Sequence, residues 1–313
     1  MNKDSSDLQT EVAFRKGKKR RKRKETLAAY AFLAPSLLIF LVFTFFPAIF
    51  SLVAGFLRWN LPFDPTFISL RNYEYLFVDE IGAAAFGNAM LNTLYFMLGI
   101  PINMAISLCI AILLNRRLPA VGLFRTAFFL PTMTSMAAIS VVWIWLYHPA
   151  DYGLFNSILI QAGLPIQSWL RDPQLAMPCL IAMGVWRGMG YNIVIFLAGL
   201  QNIPGDLYES AEIDGANWLD QFRWITLPLL SPTTFYILII GVINSLKAFT
   251  EIDVMTQGGP LGVTTTIAYF LYQYAFQYFQ IGLASAIAVV LFLITLILTL
   301  IQFRFVEKRV HYV

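Results

Sequence analysis

Long apolar runs separated by short polar stretches set the pattern of this chain. A helix needs about 20 mainly apolar residues to cross a bilayer. Six segments meet that requirement: 28–57, 88–114, 123–147, 174–200, 230–255 and 278–303. The pattern predicts an all-α integral membrane protein with six transmembrane helices. The last two segments share a charge-free run from Val254 to Phe303, too long for one helix, and Gln257-Gly258-Gly259-Pro260 with Thr264–Thr266 break it near its start. Pro35, Pro47, Pro101 and Pro178 fall in or near spans, where neighbouring helices can satisfy the freed backbone groups. The first segment is charge-free from Thr26 to Leu57, longer than the hydrophobic part of a signal peptide, and is expected to stay as a span. The resulting organisation is a basic tail (1–27), a first helix (28–57), an outer loop (58–87), a five-helix core (88–305) containing a polar loop (201–229), and a short tail (306–313).

The polar loop has its own pattern. Asp206 and Glu209 have the spacing of a capping box, which predicts a helix from Leu207. Gly215 suits a left-handed helix end, and Asn217 with Asp220 suits the start of a second helix. Trp218, Phe222, Ile225 and Leu229 recur at helical spacing, giving that second helix an apolar face. Pro228 and Pro232 mark the passage into the fifth span.

Composition agrees with the membrane reading: 58% of residues are hydrophobic and 13% charged, about half the charge of a soluble domain. Residues 15–24 hold nine positive charges, so the remainder of the chain carries −5 against the overall +4. Basic runs bind phosphates, but this one directly precedes an apolar span. It reads as an anchor on anionic lipid, with no role for nucleic acid. With the N-terminus inside, Arg116, Arg117, Arg125, Arg223, Arg304, Lys308 and Arg309 join the tail on the cytoplasmic side. Only Arg58, Arg71 and Arg171 fall outside, a ratio of 17 to three that places both termini and the polar loop in the cytoplasm. Cys109 and Cys179 lie in apolar stretches, and His148 and His311 are far apart, so neither a disulfide nor a metal site is expected.

The series Glu209-x-Ala211-x3-Gly215-x9-Ile225-x-Leu227-Pro228 resembles the EAA motif of the permease subunits of bacterial ABC importers, and Tyr208 to Ala216 is similar to their carbohydrate-uptake branch. Ser210 stands where that family usually has alanine. The stretches 196–204, 249–260, 264–266 and 281–287 are also similar, and the resemblance runs over 28–305. Lacking extra spans and a large outer domain, the chain is more similar to the six-span lactose and glycerol-phosphate type than to the maltose type. The resemblance implies a type I ABC importer permease fold in the bacterial cytoplasmic membrane. It also implies a second permease subunit as a heterodimer partner, two ATPase subunits and an extracytoplasmic solute-binding protein. Glu209 would face the ATPase, Gly215 would allow the turn between the two short helices, Ala211 would belong to the same coupling motif, and Ile225, Leu227 and Pro228 would be structural.

No P-loop, G-x-S-x-G or H-E-x-x-H pattern occurs in the sequence. The chain is therefore expected to be no enzyme and to bind no cofactor, with ATP and magnesium used by a partner. Polar residues inside spans are costly and are functional candidates by default. Span four carries Arg187, Tyr191 and Asn192, with Arg187 about 20 Å deep at 1.5 Å per residue. Span five carries Asn244, Lys247 and Glu251 at i, i+3, i+7 spacing, on one face of a helix. Lys247 and Glu251 are also spaced to form a structural ion pair. A cavity of these groups suits a mono- or oligosaccharide. Arg187 and Lys247 together would also suit glycerol phosphate or another polyol phosphate. A secondary transporter, in which the polar loop is incidental, is the third reading, though no inverted repeat is evident. The particular sugar is not legible.

Overall fold

Nearly every described residue lies in a helix or in a short link between helices, as the apolar pattern requires. The computed structural model describes residues 4–115 and 121–305, with side chains from Lys22 onward except at Val121 and Phe305. The side chains of the basic run up to Arg21, together with Arg116, Arg117 and the 306–313 tail carrying Lys308, Arg309 and His311, lie outside the described residues. The chain divides into two units, Met1–Ala54 and Gly55–Val313.

The first unit is helix α1 (Asp4–Phe40), a π-helical turn at Leu41–Phe45, and α2 (Phe46–Ala54). Pro47 has no N–H to donate, and the widened turn just before it accommodates the missing bond. Lys22–Ala54 is long and apolar enough to cross a membrane, and Phe32 and Phe43 are exposed along it.

In the second unit a two-residue hairpin, β1 (Leu57–Arg58) against β2 (Thr66–Phe67), precedes α3 (Arg71–Phe77) and α4 (Glu80–Met97). The stretch expected as an outer loop is thus largely structured, and the second span begins at Glu80 and runs on through α5 (Gly99–Leu114). Charge misplaced that boundary. Asp79 is the N-cap, its Oδ1 accepting from the Ile81 and Gly82 amides at 3.2 and 2.9 Å, and acids at a helix start complement the dipole rather than mark a loop.

The third apolar segment is two helices, α6 (Val121–Met133) and α7 (Met136–Leu146), meeting at 101°. Pro131 lies in the last turn of α6, and Ser135 caps α7. After α8 (Leu154–Gln161) comes α9 (Ala176–Gln201). The polar loop forms α10 (Gly205–Ile213), α11 (Trp218–Gln221), a π-helical turn at Phe222–Thr226 and α12 (Leu227–Leu229). The chain then bends by 61° into α13 (Ser231–Leu246). The fifth span was expected to reach residue 255, but α13 stops at Leu246 and a separate α14 (Thr250–Met255) follows. Helix α15 (Ile267–Tyr272), a π-helical turn at Gln273–Gln277 and α16 (Ile281–Phe305) complete the unit. Among the described residues four helical stretches are long and apolar enough to span a membrane by themselves, and counting each bent pair as one span gives up to six.

Two apolar clusters grip the ends of α9. Met177, Leu180 and Met183 pack with Trp143, Ile252 and Tyr269 at its beginning. Ile193, Phe196 and Leu200 pack with Ala111, Leu230 and Ile237 at its end. The polar section between them is left facing a cavity.

Candidate functional site

Arg187, Tyr191 and Asn192 occupy the middle of α9, with Arg187 about 17 Å from Ala176 at 1.5 Å per residue. They line a cavity of about 380 Å³ together with Asn103 of α5, Thr132 of α6, Asn244 and Ser245 of α13, and Glu251 of α14. Apolar wall is supplied by Phe96, Ile100, Ile181 and Ile237. The Arg187 Nη2 donates to the Thr134 carbonyl at 3.4 Å, and the Thr132 hydroxyl donates to the Arg187 carbonyl at 3.1 Å. Both contacts fall near the break between α6 and α7. The Arg187 Nε is buried and meets no acceptor among the described residues. Glu251 is only 7% exposed and lines the same cavity. Tyr191 and Tyr236 share a hydroxyl–hydroxyl bond of 2.9 Å. The site thus offers cationic and neutral donors, a carboxylate and amide acceptors, set in an apolar wall.

The structure brings five of the six expected pathway residues together and leaves out Lys247. Asn244 and Glu251 reach the cavity from different helices, because the backbone leaves helical register at Lys247–Phe249. A single helix face holding Asn244, Lys247 and Glu251 therefore does not exist. Lys247 is exposed and forms no ion pair with Glu251 among the described residues, which removes the structural-pair alternative. Asn103, Ser107 and Thr132 were missed. Asn103 and Ser107, at i and i+4 in an otherwise apolar span, carried the same signal of costly intramembrane polarity that singled out Arg187.

The polar loop is built much as its spacing predicts, with one correction. Helix α10 starts at Gly205 after Pro204, so Asp206 lies inside the first turn and Glu209 beyond it, and neither belongs to a capping box. The acid is still well placed against the helix dipole. At the other end Gly215 adopts φ +84°, its N–H donates to Glu212 O at 3.0 Å, and the Ala216 N–H donates to Ala211 O at 2.9 Å. This is the paired-bond Schellman ending, in which the residues at Ala211 and Ala216 come together beneath the glycine. Ala211 and Ala216 are accordingly half-buried, while Glu209 is exposed.

Asn217 and Asp220 form a reciprocal capping box on α11. The Trp218 and Phe222 rings stack 5.8 Å apart at 9°. Leu227 N–H bonds to Phe222 O, five residues back, so the turn widens just before Pro228. Ile225 packs with Leu229 against the apolar cluster at the end of α9, and Ile225 and Pro228 are half-buried while Leu227 is exposed. The Tyr208 and Thr226 hydroxyls, 2.9 Å apart, tie the two arms of the loop. Helix α9 leads into this loop and α13 leads out of it, so two walls of the cavity are joined directly to the loop.

Among the described residues no group of three or more His, Cys, Asp or Glu could hold a metal ion. The family described as binding-protein-dependent transport system inner membrane component matches residues 86–312. The chain belongs to this family. The permease is 35% identical over 299 residues to the probable ABC transporter permease protein YesP of Bacillus subtilis (strain 168), covering 94% of this chain and 95% of that one. It is 36% identical over 280 residues to the arabinooligosaccharides transport system permease protein AraP of the same organism, covering 88% of each. It is 33% identical over 288 residues to the sn-glycerol-3-phosphate transport system permease protein UgpA of Agrobacterium fabrum (strain C58 / ATCC 33970), covering 90% of this chain and 96% of that one. The fold matches a bacterial ABC transporter involved in the import of the acidic polysaccharide alginate, with TM-score 0.80 and 24% identity over 93% of this chain and 99% of that one. The permease is thus a multi-pass membrane subunit of a transport system, and a transporter subunit rather than an enzyme.

Proposed function

We propose that this permease forms half of the translocation pathway of an ATP-driven, binding-protein-dependent importer for an uncharged mono- or oligosaccharide. The observation that carries the reading is the join between site and lever: the helices bearing Arg187, Tyr191, Asn192, Asn244 and Ser245 are the two that flank the Glu209–Pro228 loop. A capped, cross-tied loop moves as a rigid body, and its motion passes to the cavity walls through α9 and α13. In this reading Glu209 and the exposed face of α10 meet an ATPase subunit, Ala211 and Gly215 shape the docking turn, and Ile225, Leu227 and Pro228 fix the exit into α13. The ATPase pair supplies ATP and magnesium chemistry, a second permease completes the pathway, and a solute-binding protein delivers cargo from the other side. The 17-to-three distribution of Lys and Arg supports a cytoplasmic loop and cytoplasmic termini.

Relatives named for arabino-oligosaccharide and for glycerol-phosphate transport match about equally well, so the cavity has to separate the cargo classes. A phosphate dianion would need both Arg187 and Lys247. Lys247 is outside, and Glu251 is inside. Arg187 is then the one cationic side chain among the described residues lining the cavity, which leaves a dianion half-neutralised. Sugar hydroxyls both donate and accept, and apolar ring faces suit the Phe96 and Ile237 wall. Uptake of labelled arabinotriose, xylotriose, maltotriose and sn-glycerol 3-phosphate, with and without the cognate ATPase, tests this reading. ATPase-dependent uptake of a neutral trisaccharide is expected. Uptake of glycerol phosphate alone, or uptake that survives loss of the ATPase, would refute it.

A further inference from the structure

Asn103 on α5 is 8% exposed and sits at the centre of a hydrogen-bond network with a fixed direction. Its Nδ2 donates to the Val185 carbonyl at 2.9 Å. Its Oδ1 accepts from Asn192 Nδ2 at 2.6 Å and from the Ser107 hydroxyl at 3.1 Å. Gly188 permits the approach, since a Cβ there would lie 3.1 Å from Asn103 Nδ2. A backbone carbonyl can only accept, so Val185 decides which end of the Asn103 amide is nitrogen. Asn103 must then show oxygen to Asn192, and Asn192 must answer with its NH₂. Turning the Asn192 amide over would set two oxygens 2.6 Å apart. The Asn192 Oδ1 is left with no protein donor among the described residues, on a side chain that lines the cavity.

We propose that Asn103 is a positioning residue that sets the hydrogen-bond polarity of the cavity, holding Asn192 so that its carbonyl oxygen is offered to cargo. The inference rests on the carbohydrate reading above. Five residues earlier on α9, the Arg187 guanidinium lines the same cavity and offers only donors. The cavity wall thus carries both a donor and an acceptor, the complement of a sugar's hydroxyls, which donate to Asn192 Oδ1 and accept from Arg187. An anionic oxygen has no proton to give and satisfies only half of this pair. The chain of control runs from the Val185 backbone, which cannot flip, through Asn103 to the atom that meets the cargo.

The test is a double-mutant cycle in the whole importer, reconstituted in proteoliposomes with its binding protein. The probe is the neutral trisaccharide that the wild type takes up best from the panel above. Asn103→Leu keeps the side-chain size but releases Asn192, and is expected to lower uptake roughly tenfold, the equivalent of a ~1.4 kcal/mol hydrogen bond. Asn192→Leu is expected to lower it at least as much, and the double variant no further than Asn192→Leu alone, because Asn103 acts through Asn192. Co-purification with the second permease verifies assembly of each variant. Should Asn103→Leu fail to assemble, Asn103→Asp takes its place. A carboxyl at this position accepts from Asn192 Nδ2 whether protonated or ionised, so Asn103→Asp should leave Asn192 turned the same way and keep more uptake than Asn192→Leu at each pH. Additive losses, or an Asn103→Asp variant that assembles yet takes up no more than Asn192→Leu, would overturn the positioning role. Wild-type uptake by Asn192→Leu would instead remove the cavity assignment beneath it.

Discussion

Gly190 offers the sharpest test of how the cavity is held. It lies on α9 where α6 crosses, and a Cβ there would sit 2.0 Å from the Phe128 carbonyl oxygen, 2.7 Å from Phe128 C and 3.0 Å from Phe129 Cα. All three are backbone atoms and cannot rotate aside. Gly190→Ala therefore forces the helices to part by at least about 1 Å to restore an ordinary contact. Overpacking of this kind costs about 1–3 kcal/mol. Parting the helices also stretches the Thr132–Arg187 bond beyond its present 3.1 Å, a further loss of ~1 kcal/mol. The gain in helix propensity from glycine to alanine returns up to ~1 kcal/mol, leaving a net destabilisation of about 1–3 kcal/mol.

Two other alanines calibrate the result. At Gly184 the new Cβ meets only Phe96 Cζ at 3.8 Å, and at Gly87 it meets nothing within 4 Å. Both sites are helical, so both variants should be neutral or slightly stabilising. Thermal unfolding of the purified complex in detergent gives the ranking, and uptake reports whether the Arg187 end of the cavity has shifted. If Gly190→Ala melts with or above Gly184→Ala, the close approach of α6 and α9 is not real and the cavity wall is misdrawn.

At Gly215 the surroundings are open and only the left-handed backbone resists substitution, so Gly215→Asn should keep coupling and Gly215→Val should lose it. The measurement is sugar imported per ATP hydrolysed by the assembled complex, and Gly215→Val costs ~1–2 kcal/mol at the turn; equal ratios for the two variants would remove the turn from the coupling path. Lys247→Met should leave neutral-sugar uptake within about twofold, because the side chain lies outside the cavity, a change of less than ~0.5 kcal/mol. Glu251→Gln removes the carboxylate that opposes anions, so inhibition of sugar uptake by sn-glycerol 3-phosphate should strengthen by about tenfold, or ~1.4 kcal/mol. Unchanged inhibition would show that Glu251 does not face the cargo.

What the sequence determined by itself was whatever depends on neighbours along the chain. Apolar run lengths set the spans, and the glycine and asparagine of the polar loop set its two helix ends, since a left-handed turn at Gly215 and a capping box at Asn217–Asp220 are local events. Family membership was legible for the same reason, as the motif from Glu209 to Pro228 is one continuous stretch. Tertiary structure decided what local pattern could not carry. The spacing of Asn244, Lys247 and Glu251 implied one helix face, but the chain leaves helical register after Leu246, and that break admits Glu251 to the cavity while excluding Lys247. Asp79 and Glu80 counted as loop charges until the fold placed them at the start of α4. Asn103 and Asn192, 89 positions apart, meet only because α5 runs beside α9. A hydrogen bond has a direction that composition does not record, so which atom of Asn192 is tied to Asn103 was decided only when those two helices came together.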